Sequence, residues 1–366
     1  MSRFMNPEYK NLSPYVPGEQ PRRSEWIKLN TNESPYPPCP GVLSVITEGM
    51  NLYPDPESRE LIQVLGEIYG VEDKQIIVGN GSDELLAFAF MAFQNSDRTF
   101  VFPDLTYGFY PVFAQLFGGR AKIIPLSEDW TINYHNYMEA PGTIVIANPN
   151  APTGLSLPLS EIEMIIKGNR DNIVIIDEAY IDFGGESAVS LIGKYDNLLV
   201  VQTFSKSRSL AGARVGFAMG NQELIGDLKR IKYSFNPYNL NRWSEQAALV
   251  SLRDEAYFNA CCKKIIEIRE KISEDLKALG FYVLDSRANF IFAKPPRLSG
   301  EEYYQKLREE KILVRYFNNQ RTRDYVRITI GDEKEMEALL NATIRILEKE
   351  NNQSLKRKPM ISNNIL

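Results

Sequence analysis

The chain has 366 residues, with 42 lysines and arginines against 47 aspartates and glutamates and a formal net charge of −5. That balance offers no basic field to a nucleic acid, and the apolar runs fall far short of the ~20 residues of a membrane span. A single histidine, His135, and three cysteines, Cys39, Cys261 and Cys262, exclude a histidine-rich metal site, a disulfide framework and zinc-ligand spacing.

Residues 1–45 are rich in Pro, Tyr, Asn and Ser without a clear period, and read as an extended arm broken by turns. The opening segment has no apolar leader region, so a cytoplasmic protein is expected. Leu61, Ile62, Leu65 and Ile68 predict a helix from Ser58 to about Tyr69, stopped by Gly70. IIV at 76–78 predicts a strand before a helix beginning near Ser82, and TFVF at 99–102 one before a helix near Tyr107–Leu116. Strands follow at KIIPL (122–126) and TIVIA (143–147), and Ser160 is placed to cap a helix through Ile166. IVIID (173–177), LLVVQTF (198–204) and RVGFAM (214–219) are further strands. Short buried strands alternating with helices mean a mostly parallel sheet covered by helices on both faces.

An amphipathic helix then runs from about Asp254 to Leu279, ended by Gly280. FYVLDS, ANFIFAK, ILVRYF and YVRITIG interleave with helices at 301–310 and about Asp332–Glu348, which describes a smaller α+β domain. The fold class is α/β. Its parts are an arm with part of the small domain (1–45), a large domain (46–253), a small domain (254–350) and a polar tail (351–366).

Four segments carry chemistry. GNGSDE, Gly79–Glu84, joins a strand to a helix whose free N–H groups favour an anion, although it lacks the third glycine of a dinucleotide fingerprint. IVIIDEAY ends a strand in Asp177 and Glu178; no phosphate loop accompanies it, since the only Gly-Lys pair, Gly193-Lys194, lacks the other residues of that motif. In TFSKSRSLAGARVGF, Lys206 follows an apolar strand, where enclosure lowers an amine's pKa and suits a Schiff base; Ser205 and Arg214 suit a phosphate. Arg315 and Arg327 lie in strand-like runs and together suit an oxyanion. Taken singly, each also reads as ordinary structure: a capped helix, a structural carboxylate, a solvated lysine, exposed arginines.

In order, SPYVPG, LNTNESPYPP, LYPDPES, GNGSDE, LTYGFYPVF, NPNAPTG, IDEAY, TFSKSRSLAGARVG and VRITIG resemble the fold-type-I, class I/II aminotransferase family of pyridoxal 5′-phosphate (PLP) enzymes, and its histidinol-phosphate branch most closely. The resemblance implies transfer of an amino group from L-histidinol phosphate to 2-oxoglutarate, ping-pong through a Lys206 aldimine. Threonine-phosphate decarboxylase and aromatic amino-acid aminotransferase stand beside it on the same fold. By the same likeness Lys206, Asp177 and Tyr180 are catalytic, Asp177 at the pyridine nitrogen and Tyr180 at the phenolic oxygen O3′. Tyr107 stacks on the ring; Ser82, Asp83, Ser205 and Arg214 hold the phosphate; Tyr53 reaches the cofactor of a partner in a homodimer. Arg315, Arg327, Tyr15 and Asn32 would meet substrate. No metal is implied. The family pattern N-P-N-N-P-T-G has alanine at one position here, Ala151, which removes a hydrogen bond worth about 1 kcal/mol. Asn148, Asn150 and a water are the candidates to replace it, and Asn150 is assigned to the cofactor.

Overall fold

Strands apolar on both faces bury only between two helical layers, and this decides the architecture. The computed structural model describes residues 5–21, 25–45, 48–94, 97 and 99–357, with side chains to 352. In chain order the arm carries β1 (Ile27–Lys28). The large domain follows with α1 (Arg59–Tyr69), β2 (Ile76–Gly79), α2 (Ser82–Ala92), β3 (Thr99–Pro103), α3 (Phe109–Leu116) and β4 (Arg120–Ile124). It continues with β5 (Thr143–Ala147), α4 (Leu159–Lys167), β6 (Val174–Asp177), β7 (Leu198–Thr203), β8 (Gly216–Gly220), α5 (Gln222–Phe235) and α6 (Arg242–Arg253). Then come α7 (Glu255–Ala278), β9 (Tyr282–Val283), β10 (Phe290–Lys294), α8 (Gly300–Glu309), β11 (Ile312–Leu313), β12 (Arg315–Tyr316), β13 (Val326–Thr329) and α9 (Glu333–Arg357).

The large sheet has the order β2-β8-β7-β6-β5-β3-β4. Only β8 runs against its neighbours, β2 and β7. Side chains alternate between two cores, as the two-residue strand period requires. Ile144, Ile146, Val174 and Ile176 pack with α1, α4 and α6. Val145, Ile175, Leu199 and Val201 pack with α2, α3 and α5. The smaller antiparallel sheet, β12-β13-β10-β9, lies in a third core with α7, α8 and α9, and β1 of the arm pairs in parallel with β11. That third core also takes in Ala151, Tyr180 and Phe183 from the large domain, so the cleft wall and the small domain are packed as one body.

Several expectations are corrected. Ser160 does not cap α4: Pro158 occupies the N-cap, its fixed φ starting the turn, and Ser160 lies inside the helix. Ile68 stays at the surface, because α1 ends one residue later and only Leu61, Ile62 and Leu65 reach the core. Helix α9 continues to Arg357, past the expected Glu348 and into the expected tail, of which 358–366 lie outside the described residues. Helices α5 and α6 fill a stretch to which sequence patterning assigned no element. Asp254 caps α7 by accepting from Tyr257 N–H (3.1 Å), and Gly280 ends it at φ +90°.

Arg269 of α7, only 1% exposed, donates to the carbonyls of Phe183 (2.8 Å) and Ala288 (3.0 Å), tying the turn after β6 to the loop before β10. Arg269→Met would leave both acceptors without that donor. It is expected to remove about 2–3 kcal/mol of stability, read as a lowered midpoint of urea unfolding.

Candidate active site

Parallel sheets present ligand sites at the carboxyl ends of their strands. Here β2, β5, β6 and β7 end at one cleft, with Asp177 in register between Ala147 and Val201. An inner cavity of about 160 Å³ is lined by Asp177, Tyr180, Lys206, Tyr107 and Ala151, together with Ser82, Asp83, Ser205 and Arg214.

Asp177 is buried. It accepts from Tyr110 Oη (2.8 Å) and Ala179 N–H (3.2 Å). Burial pushes its carboxyl up to about 6, and the Tyr110 hydrogen bond opposes that rise. Tyr110 was not singled out from sequence. The available signal was its spacing, three residues after Tyr107 at the start of α3, which brings the two rings edge to face at 5.7 Å. Glu178, next to Asp177, points elsewhere: it accepts from Ser187, Ala188 N–H and Gln202, and burial raises its carboxyl to about 7. Lys206 Nζ donates to the Thr31 carbonyl (3.2 Å) and lies 5.8 Å from the Tyr180 ring centre. Burial, with Arg327 adding to it, lowers its amine to about 8.

One part of the cavity wall suits an anion. Helix α2 begins at Ser82, so the N–H groups of Ser82 and Asp83 have no acceptor within the helix. Gly81 (φ +80°) leaves room for Arg214: a Cβ there would lie 2.5 Å from its Nη2. Arg214 donates to Ser205 Oγ (3.3 Å) and pairs with Asp83 (3.1 Å), whose other oxygen accepts from Tyr107 Oη (2.8 Å). A guanidinium fork, two hydroxyls and a helix N-terminus are the donors that a phosphate requires.

An outer cavity of about 280 Å³ shares Tyr107, Ala151, Tyr180 and Lys206 with the inner one. Its wall adds Tyr15, Asn32, Arg315, Phe317 and Arg327. Arg315 and Arg327 are cross-strand partners, and each guanidinium lies 5.5 Å from the Phe317 ring. Arg327 Nη2 donates to the Asn30 carbonyl (2.9 Å), while its buried Nε has no partner among the described residues. Arg315 donates to the arm carbonyls of Val16 (3.0 Å) and Pro17 (3.3 Å), and Tyr15 stacks on Phe109 at 4.3 Å.

Four residues lie apart from these cavities. Asn150 turns its amide away, donating to the Leu105 carbonyl and Thr153 Oγ1. Asn148 is consumed by Leu157 and Ser156, so neither asparagine stands in for a side chain at Ala151, which itself lines both cavities. Tyr53 is 77% exposed and stacks on Tyr238 outside the cleft. His135 is exposed, and no cluster among the described residues could hold a metal ion.

Residues 24–342 match the family model of aminotransferase class I and II, and the chain belongs to that family. The histidinol-phosphate aminotransferase of Brachyspira hyodysenteriae is 51% identical over 92% of this chain and 97% of its own length. The solved histidinol-phosphate aminotransferase of Clostridium acetobutylicum has a TM-score of 0.81 at 27% identity, covering 88% of this chain and 99% of that one. The enzyme of that name from Sinorhizobium meliloti, solved with pyridoxal 5′-phosphate, has a TM-score of 0.79 at 23% identity over 88% of this chain and 91% of that one, a likeness of fold.

The raised Asp177 carboxyl has a stability consequence. Its folded-state value, about 6, lies above the ordinary 3.8, so ionising it costs stability. The cost is absent well below the ordinary value and complete once pH exceeds the folded one. Asp177→Asn is therefore expected to stabilise the ligand-free protein by roughly 2–3 kcal/mol at neutral pH and by little in acid. Urea unfolding of both proteins across that range measures the difference.

Proposed function

We propose that the chain is a PLP-dependent aminotransferase that converts L-histidinol phosphate and 2-oxoglutarate to imidazole acetol phosphate and L-glutamate, as the names of its relatives suggest. The observation that carries this reading is Lys206 on the wall common to the two cavities, one suited to a phosphorylated cofactor and the other to an anionic substrate.

The inner cavity fits PLP by its donor set. Ser82, Asp83 N–H, Ser205 and Arg214 suit the phosphate, Asp177 the pyridine nitrogen, Tyr180 the phenolic oxygen and Tyr107 the ring. When bound, PLP supplies an electron sink for the substrate's Cα carbanion. Asp177, ionised at neutral pH, keeps a proton on the pyridine nitrogen, and Tyr110 holds the carboxylate in place. Lys206 Nζ, with an amine lowered to about 8, takes and returns the Cα proton while the Thr31 carbonyl orients it. Arg315 and Arg327 serve the phosphate of the donor and a carboxylate of 2-oxoglutarate in turn. Tyr15 closes over the outer cavity.

A cytoplasmic homodimer completes the reading. Leu43, Leu52, Tyr53 and Phe235 expose large apolar surface, which a second copy would cover while Tyr53 approaches the partner's cofactor. No helix among the described residues is long and apolar enough to cross a membrane.

The test is reconstitution with PLP and steady-state assay of histidinol phosphate, with and without 2-oxoglutarate. Borohydride is expected to fix the label on Lys206, and Lys206→Ala to lose about 10³-fold or more in turnover. CO₂ release without an oxo acid would identify a decarboxylase instead. Arg327→Ala is expected to raise KM for 2-oxoglutarate about 30- to 100-fold through lost charge-assisted hydrogen bonds.

A further inference from the structure

We propose that Asn32 is a positioning residue for Tyr180, fixing the direction in which the tyrosine's hydroxyl proton points. Asn32 is 1% exposed and adopts φ +55°, a left-handed conformation that asparagine and glycine accept and most residues do not. Its carbonyl accepts from Asn289 Nδ2 (3.0 Å), and its N–H donates to Thr329 Oγ1 (2.9 Å). The side-chain amide spans Thr329 Oγ1 (3.1 Å) and Tyr180 Oη (3.0 Å).

A proton count orients this chain. A backbone N–H can only donate, so Thr329 Oγ1 accepts from Asn32 N–H and has one proton left to give. Among the described residues the acceptor for that proton is Asn32 Oδ1. With Oδ1 turned to Thr329, Nδ2 faces Tyr180, and the tyrosine oxygen accepts there. The flipped amide would strand the Thr329 proton in a buried site. Among the described residues Tyr180 Oη donates to no acceptor; its ring meets Phe290 edge to face at 5.0 Å and packs in the apolar core that includes Ala151. The Tyr180 proton is thus left for the inner cavity, where Tyr180 is part of the lining.

Thr329 also lies two residues from Arg327 on β13, so both leave the same face of one strand. The strand that offers Arg327 to an anion also sets the tyrosine's proton, through Asn32. This inference rests on the PLP reading, in which a donated proton stabilises negative charge on the cofactor's phenolic oxygen.

Asn32→Gly tests it, because glycine keeps the left-handed backbone while removing the amide. Two readouts are used: PLP affinity, from fluorescence titration of the cofactor-free protein, and the pH midpoint of the visible band of the loaded protein. Asn32→Gly is expected to weaken PLP about five- to tenfold and to raise the pH midpoint by about half a unit to one unit. Tyr180→Phe should do at least as much, and the double variant no more than Tyr180→Phe alone. Additive effects, or an Asn32→Gly protein indistinguishable from wild type, would overturn the inference while leaving the function standing. A wild-type chain that PLP does not colour would overturn the function and the inference together.

Discussion

Burying a carboxylate at the end of a central strand is the constraint around which the cleft is organised. Asp177 pays the desolvation cost that any buried anion meets, and its hydrogen bonds from Tyr110 and Ala179 N–H offset only part of it. An electrostatic position of that kind suits the cationic ring of the function proposed above. The same low-dielectric setting lowers the Lys206 amine, so one desolvated pocket moves an acid up and a base down. Both shifts bring the groups toward neutral pH, where proton transfer is most effective.

The two domains share this environment. Tyr180 and Ala151 leave the large domain's sheet edge but are buried in the small domain's core. Arg321 adds a polar clasp, pairing with Asp104 (2.6 Å) and donating to the carbonyls of Leu126 and Ser127 across the cleft. Positions of side chains on either cavity are therefore held by packing from both sides, which is how a site gains the precision that chemistry needs.

The sheet was legible because its strands are short, apolar and β-branched, and the phosphate-type loop because glycine and a helix start announce themselves. Lys206, Asp177 and Arg214 were marked by their places at strand ends and near each other in sequence. Asn32 and Tyr110 were harder. The value of each lies in a contact to a residue far along the chain, Tyr180 for one and Asp177 for the other, and no local pattern encodes such a contact. For Asn150 the motif does not show where the side chain turns: its Nδ2 donates to Thr153 Oγ1 within the turn and to the Leu105 carbonyl 45 residues away. Tyr53 lies outside the single-chain cleft, and an assignment that depends on a second copy has no local signature either.

The pairing of Arg315 with Arg327 has one more consequence. Strand β12 is only two residues long, so it has almost no ladder with which to hold its alignment. Sliding it by a single residue would turn Tyr316 toward the outer cavity and send Arg315 to the opposite face. The length of the connection from 317 to 325 thus acts as a ruler for the spacing of two positive charges on the wall of the outer cavity.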